Sequence, residues 1–255
     1  MTNPALAFTD EKTGDRYYKH PVTGAVVPSV TTILKDGVPK PFLVDWAAQL
    51  AAEHAYSHPR PTSWTEEDAA RLIHESKTQH KQLLETAGAF GTTVHELIEA
   101  EILLPGSSDG ATDTRVRQYI DQWKLWCRKY EPYFVYNEVT VWSETHGYAG
   151  TLDFMAHLND GNLVLGDWKT SKSINNSYAL QLSALAEADY ILDEKGDQIP
   201  LPVPDQLVIV HLCPQSFGHY VLEKWNDLAE PFFAAMKVRE FVTAGNGFKS
   251  LFRRG

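Results

Sequence analysis

Two short segments of the chain hold residue types that could do chemistry together: Gly150-Thr-Leu-Asp-Phe154 and Gly166-Asp-Trp-Lys-Thr-Ser-Lys172. Alternate side chains of a strand share a face, so Asp167 and Lys169 point the same way, behind Leu163 and Leu165. Asn159-Asp160-Gly161-Asn162 separates the two segments, and an Asp-Gly between apolar runs signals a tight hairpin. The hairpin brings Asp153 beside Asp167, so two carboxylates and an ammonium converge. Converging carboxylates repel unless a cation or a proton intervenes. Oxygen-rich sites of this kind suit hard divalent ions such as Mg²⁺ or Mn²⁺. A lysine there can orient or deprotonate a water, or offset charge developing on a phosphate. For the Asp-x-Lys alone, an ion pair on a surface hairpin is the plain alternative.

Other residues add to this group. His95 and Glu99 lie one turn apart on a helix face, beside Ile98 and Ile102. Gly88 and Gly91, near the same face, would permit close backbone approach, and a histidine in such a place also reads as structural. Glu138 precedes the hairpin by one strand, either as a half-buried acid or at an exposed alternate position. Tyr178 and Gln181 open the helix that follows the Asp-x-Lys strand.

The elements that must position these residues follow from periodicity and punctuation. The first forty residues, broken by Gly14, Pro21, Gly24, Pro28, Gly37 and Pro39, read as irregular or short β structure. Helices are expected at 42–55, 66–84 and 89–104, then a loop at 105–113 and a helix at 114–130. The last carries an apolar stripe of Val116, Tyr119, Ile120, Trp123, Trp126, Cys127 and Tyr130. Strands are expected at 135–143, 148–157 and 163–169, a helix at 176–192, a Pro-rich loop at 199–205, strands at 206–212 and 219–224, and a helix at 228–243. This order implies a mixed α/β (α+β) core, a central mixed β-sheet flanked by helices. At 255 residues it is expected to be one domain (1–255), with a helical elaboration at about 42–130 and a core at about 88–244.

Lys and Arg number 23 against 33 Asp and Glu, a net charge of −10. That balance argues against a passive nucleic-acid coat, which works by neutralising phosphates, but not against an enzyme with a local basic groove. Arg117, Lys124 and Arg128 share one face of the 114–130 helix; Lys172 follows the Asp-x-Lys strand, and Lys249, Arg253 and Arg254 lie in the tail. Each of these also reads as a solvated charge. Cys127 and Cys213 cannot supply the four thiolates of a typical iron–sulfur cluster or an all-cysteine zinc site. No apolar run approaches the roughly 18 residues of a membrane span, and Met-Thr-Asn-Pro-Ala-Leu-Ala-Phe at the start lacks the pattern of a secretory leader. A soluble, cytoplasmic protein with no membrane partner is the expectation.

Taken in order, these motifs resemble the PD-(D/E)xK nuclease superfamily, and within it the RecB-like and phage-type exonuclease branch. The matching series is a helix with Gly91-Thr-x-x-His95-Glu96, a strand with Glu138, the Gly150-x-x-Asp153 strand, the Asp167-x-Lys169 strand and a helix with Gln181, within about residues 88–190. Pro-Ser-Val-Thr-Thr-Ile-Leu (28–34) and Leu-Val-Asp-Trp-Ala-Ala (43–48) also look like the start of many phage-encoded members. The resemblance implies a restriction-endonuclease-like core. It implies that His95, Asp153, Asp167 and the backbone carbonyl of Trp168 hold Mg²⁺ or Mn²⁺, that Lys169 is catalytic with Asp153 and Asp167, and that Gln181 joins this catalytic group, near the active site, by helping to hold DNA or the lysine. Glu99 and Glu138 become supporting acids, and Tyr178, Lys172, Arg117, Lys124 and Arg128 candidate DNA contacts. Two positions depart from the pattern: Thr151-Leu152 precedes Asp153 where proline is usual, and Leu185 stands four residues after Gln181 where tyrosine is usual, with Tyr178 or Tyr190 as substitutes. The implied activity is a metal-dependent DNA exonuclease, phage-type, acting in recombination or end processing in a host cytoplasm. Linear duplex ends would be its substrate, a single-strand annealing recombinase its partner and a homo-oligomer its assembly; an iron–sulfur cluster is not expected. An endonuclease of the same fold and a non-catalytic DNA-binding or assembly module are the competing readings.

Overall fold

Three short antiparallel strands, β1 (Ala7–Thr9), β2 (Arg16–Lys19) and β3 (Val26–Pro28), lead into α1 (Val30–Gly37). The computed structural model describes residues 6–59, 63–223 and 225–243, so Lys249, Arg253 and Arg254 lie outside the described residues. The helix α1 corrects the expectation of irregular chain up to residue 40. Ser29 caps it by accepting from the Thr32 amide at 3.0 Å, and Val30, Ile33 and Leu34 form its buried stripe. Next come α2 (Pro41–Ser57), α3 (Glu66–Leu103) and α4 (Thr114–Tyr130). The two helices expected at 66–84 and 89–104 are one 38-residue helix. A Cβ on Gly88 would meet nothing, so the close approach expected there is absent.

The remaining chain builds β4 (Tyr133–Ser143), β5 (Tyr148–His157), β6 (Leu163–Lys169), α5 (Asn176–Ala186), β7 (Tyr190–Leu192), β8 (Gln198–Pro200), β9 (Gln206–Cys213), β10 (Ser216–Leu222) and α6 (Ala229–Thr243). The strands form a seven-stranded sheet in the order β10-β9-β6-β5-β4-β7-β8. Among the described strands of this sheet only β6 and β9 pair in parallel, so the sheet is mixed, and with its flanking helices it has the expected fold class. Its centre is the expected hairpin. Gly161 sits at φ 89° in the turn, and Asp160 accepts from the Asn162 amide at 3.0 Å, which sets the pairing of Phe154 with Gly166. The helix expected to run to residue 192 stops at Ala186, because Tyr190 and Ile191 pair with Trp142 and Val141 of β4 instead. β8 overlaps the start of the expected Pro-rich loop, and β10 begins three residues earlier than expected, straight after a tight turn from β9.

Both faces of the sheet are covered. On one, Trp123 and Trp126 of α4 meet Trp168 edge-on at 6.4 and 5.2 Å, and Phe154 stacks on Trp168 at 4.1 Å. On the other, Leu152, Leu165 and Ile209 pack with Ile33, Leu182, Leu185 and Phe232 from α1, α5 and α6. The glycines of the two strand motifs, Gly150 and Gly166, make room for such packing residues. A Cβ on Gly166 would lie 1.9 Å from the Phe154 ring, and one on Gly150 would lie 2.4 Å from a Leu185 methyl.

The chain divides into a larger unit, Met1–Val38 with Thr93–Gly255, and a smaller one, Pro39–Thr92. The smaller unit holds α2 and the first part of α3, where the His54 Nδ1 lies 3.0 Å from the Ser76 hydroxyl. Among the described residues no helix is long and apolar enough to cross a membrane.

Candidate metal centre and its lysine

The site belongs to the larger unit and grows from three adjacent strands and two helices. Asp153 lies in the middle of β5, buried, and its Oδ2 accepts from the Trp168 amide at 2.8 Å. That bond replaces the ladder contact at this point and turns the Asp153 carboxylate towards the end of β6. His95, from the last part of α3, places Nε2 2.9 Å from the Trp168 carbonyl and Nδ1 3.5 Å from Asp153 Oδ2. Glu138 lies on β4 across from Asp153 and adopts φ 51°, a left-handed conformation unusual for a side chain of this size. Ligand atoms of His95, Glu138 and Asp153 lie within 4.8 Å of one another.

Asp167 and Lys169 form the other half. The Lys169 ammonium contacts Asp167 Oδ2 and donates to Gln181 Oε1 at 3.3 Å, while Gln181 Nε2 donates to Asp167 Oδ1 at 3.4 Å. The Tyr178 ring lies 4.7 Å from the same ammonium. Asp167 is almost fully buried, at 1% exposure, so its carboxylate depends on these partners for charge compensation.

Electrostatics follow from that burial. Burial, together with repulsion from Asp153 and Glu99, pushes the Glu138 carboxyl up to about 9, against an opposing pull from Arg16. Burial raises Asp153 and takes Asp167 to about 7, although Lys169 opposes both. Burial disfavours the charge on Lys169 too, but Asp167 and Asp153 outweigh it and its pKa is raised. Burial, with Lys169 nearby, brings His95 down to about 4, so its imidazole is neutral at pH 7. A carbonyl only accepts, so Nε2 carries the proton and Nδ1 turns a lone pair towards Asp153. An imidazole lone pair facing a carboxylate, with a second acid alongside, is a donor set that could hold a metal ion.

The candidates of the sequence thus fall into groups. His95, Asp153, Asp167, Trp168, Lys169 and Gln181 meet as the motif order implies. Glu138, expected as a supporting acid, has its ligand atom within 4.8 Å of those of His95 and Asp153, while Asp167 stands beside that group with its carboxylate on Lys169 and Gln181. Glu99 reaches the site through its charge on Glu138. Leu185 is buried against Gly150, a core position, and the Tyr190 hydroxyl donates to Glu144 at 3.3 Å. Of the two substitute tyrosines, Tyr178 therefore meets Lys169. Arg117, Arg128 and Lys172 are exposed; the Arg117 guanidinium donates to the Thr112 carbonyl at 3.2 Å. Lys124 is engaged by Asp109 at 3.0 Å and Glu101 at 3.4 Å. Sequence reasoning missed Arg16 of β2, the cation that opposes the upward shift of Glu138 and whose buried Nε has no hydrogen-bond partner. It missed His211 as well, next to Lys169 in the parallel ladder, with Nε2 2.6 Å from the Ser171 carbonyl. Neither lies in a motif that could have marked it.

No family description and no curated protein matches the chain. Among solved structures it is similar to the one described as "Crystal structure of SSO0001", at 14% identity and a TM-score of 0.30, over 83% of this chain and 96% of that one. A likeness of that size carries no argument about function.

Proposed function

We propose that the chain is a divalent-metal-dependent DNA exonuclease of the PD-(D/E)xK type that its motifs resemble, hydrolysing phosphodiester bonds at linear duplex ends. The observation that carries this reading is the gathering of buried Asp153 and Asp167 with half-buried Glu138 and His95 around one end of β6, with Lys169 beside them. A purely structural ion pair needs one acid per lysine, whereas this group gathers acids in excess and holds a neutral imidazole against one of them. Mg²⁺ or Mn²⁺ held by His95, Glu138 and Asp153, with Asp167 adjacent, would supply Lewis acidity towards a phosphate oxygen and a water of lowered pKa.

The chain's own residues supply the rest. Asp167 and Gln181 fix the Lys169 ammonium, so its positive charge is already in place where negative charge grows on the phosphate. Its raised pKa keeps it charged, which favours stabilising that charge over deprotonating water. The Trp168 amide holds Asp153 in one orientation, so little reorganisation accompanies substrate binding. A role in recombination or end processing, with a single-strand annealing recombinase as partner, belongs to the same reading.

The test is digestion of end-labelled linear duplex, single-stranded and closed circular DNA with Mg²⁺ or Mn²⁺, with Asp167→Ala as control. Loss of linear duplex with circles spared is expected. Cut circles would move the assignment to an endonuclease, and no metal-dependent cleavage of any substrate would leave a DNA-binding or assembly module.

A further inference from the structure

Lys169 is held on three sides, and the third holder is aromatic. Asp167 and Gln181 account for two directions around the ammonium, and the Tyr178 ring lies 4.7 Å away on another. Tyr178 and Gln181 are three residues apart on α5, hence on one helix face. The first turn that presents Tyr178 is fixed: Asn175 accepts from the Ser177 amide at 3.0 Å, and the Tyr178 amide donates to the Asn175 carbonyl at 3.1 Å. The ring also packs against the apolar core that α5 shares with the sheet. It is therefore a rigid wall and not a free surface tyrosine.

An aromatic face does something here that another acid or amide would not. It attracts a cation through its quadrupole but offers no lone pair, so it locates the ammonium without taking a strong hydrogen bond from it. The ammonium N–H that neither Asp167 nor Gln181 takes therefore stays available to a phosphate oxygen.

We infer that Tyr178 is a positioning residue for Lys169, its ring face holding the ammonium where the scissile phosphate is to be met. This deepens the nuclease reading and rests on it for its consequence, while the ring–ammonium geometry can be measured separately. It also separates Tyr178 from the alternative role of stacking on a DNA base.

The experiment compares wild type, Tyr178→Phe and Tyr178→Leu, with lysine Cε labelled by ¹³C and Lys169 assigned through Lys169→Arg. In the wild type the Lys169 ε-methylene resonance should lie upfield of the other lysines, shifted by the ring. It should stay there in Tyr178→Phe and return to the ordinary position in Tyr178→Leu. In steady-state cleavage, Tyr178→Leu should lower kcat by about tenfold with KM within about twofold, and Tyr178→Phe should recover most of the loss. An unshifted wild-type resonance overturns the inference. So does an unchanged kcat in Tyr178→Leu, or a rise in KM with kcat retained, the signature of a DNA contact. A shifted resonance in a wild-type protein that cuts no DNA would uphold the geometry and defeat the nuclease reading.

Discussion

His95 Nε2 lies 2.9 Å from the main-chain oxygen of Trp168, and the other nitrogen of the same ring faces Asp153 Oδ2 at 3.5 Å. The first contact decides the tautomer, and the tautomer decides what the second means: an acceptor facing an acceptor, which a cation relieves. His95→Ala should therefore weaken Mn²⁺ binding by at least about tenfold, read by calorimetry on metal-stripped protein. Unchanged affinity would remove His95 from the metal centre and leave it as a structural histidine.

Lys169 is bound by the acid next to the cluster and is not part of the cluster itself. Lys169→Met should consequently keep Mn²⁺ affinity within a few-fold while lowering the cleavage rate by about 10²–10³, the usual loss on removing one group that stabilises transition-state charge. It should also leave Asp167 more readily protonated, since the ammonium is what opposes the rise caused by burial. Calorimetry and digestion on the same preparation check both halves. Cleavage retained in Lys169→Met would exclude the lysine from the chemistry.

The hairpin that carries Asp153 and Asp167 was legible because two short, largely apolar runs flank an Asp-Gly that marks the turn; β5, β6 and α4 have the expected bounds. Three features were not. The eight-residue α1 is framed by Pro28 and Gly37, and those breakers mask the Ser29 cap that starts it. Tyr190-Ile-Leu reads as a continuing helix until the edge of β4 is known to need a partner, a long-range demand that overrides local periodicity. Glu138 enters the cluster through a left-handed backbone at φ 51°, for which glutamate is no signal. Motif order could put it near the site but could not say that its carboxylate would group with His95 and Asp153. Arg16 and His211 arrive from strands outside every motif, so only the fold reveals them.

The glycines of the chain make a controlled pair. A Cβ on Gly166 would sit 1.9 Å from the Phe154 ring, which stacks on Trp168 beneath the site, whereas one on Gly88 would meet nothing. Gly166→Ala should destabilise by about 1–3 kcal/mol through overpacking. Gly88→Ala should stabilise by up to about 1 kcal/mol, because alanine is the better helix former at an open helical position. Chemical denaturation of the two variants tests the sign of each. If Gly166→Ala were neutral, the motif glycine would have no packing role.

Glu138 and the neighbouring Asp167 tie stability to pH and to metal. Glu138 is pushed from 4.5 to about 9 and Asp167 from 3.8 to about 7, both by burial first. Between the unfolded and folded values the native protein holds a proton that the unfolded chain has already lost, so each group's contribution is full below its unfolded pKa and is lost as pH rises through its folded one. Metal-free protein should thus lose stability from about pH 5 to 7 through both groups and on to about 9 through Glu138, at most about 1.4 kcal/mol per pH unit for each proton. Mg²⁺ must displace those protons to bind, so it should raise Tm more at pH 8.5 than at pH 6. Glu138→Gln removes the proton and a ligand together. It should flatten the metal-free profile above pH 7 and shrink the gain from Mg²⁺. Thermal melts at the two pH values, with EDTA or Mg²⁺, measure all of this. Equal Mg²⁺ increments at pH 6 and 8.5 would mean that these carboxyls do not share their protons with a metal.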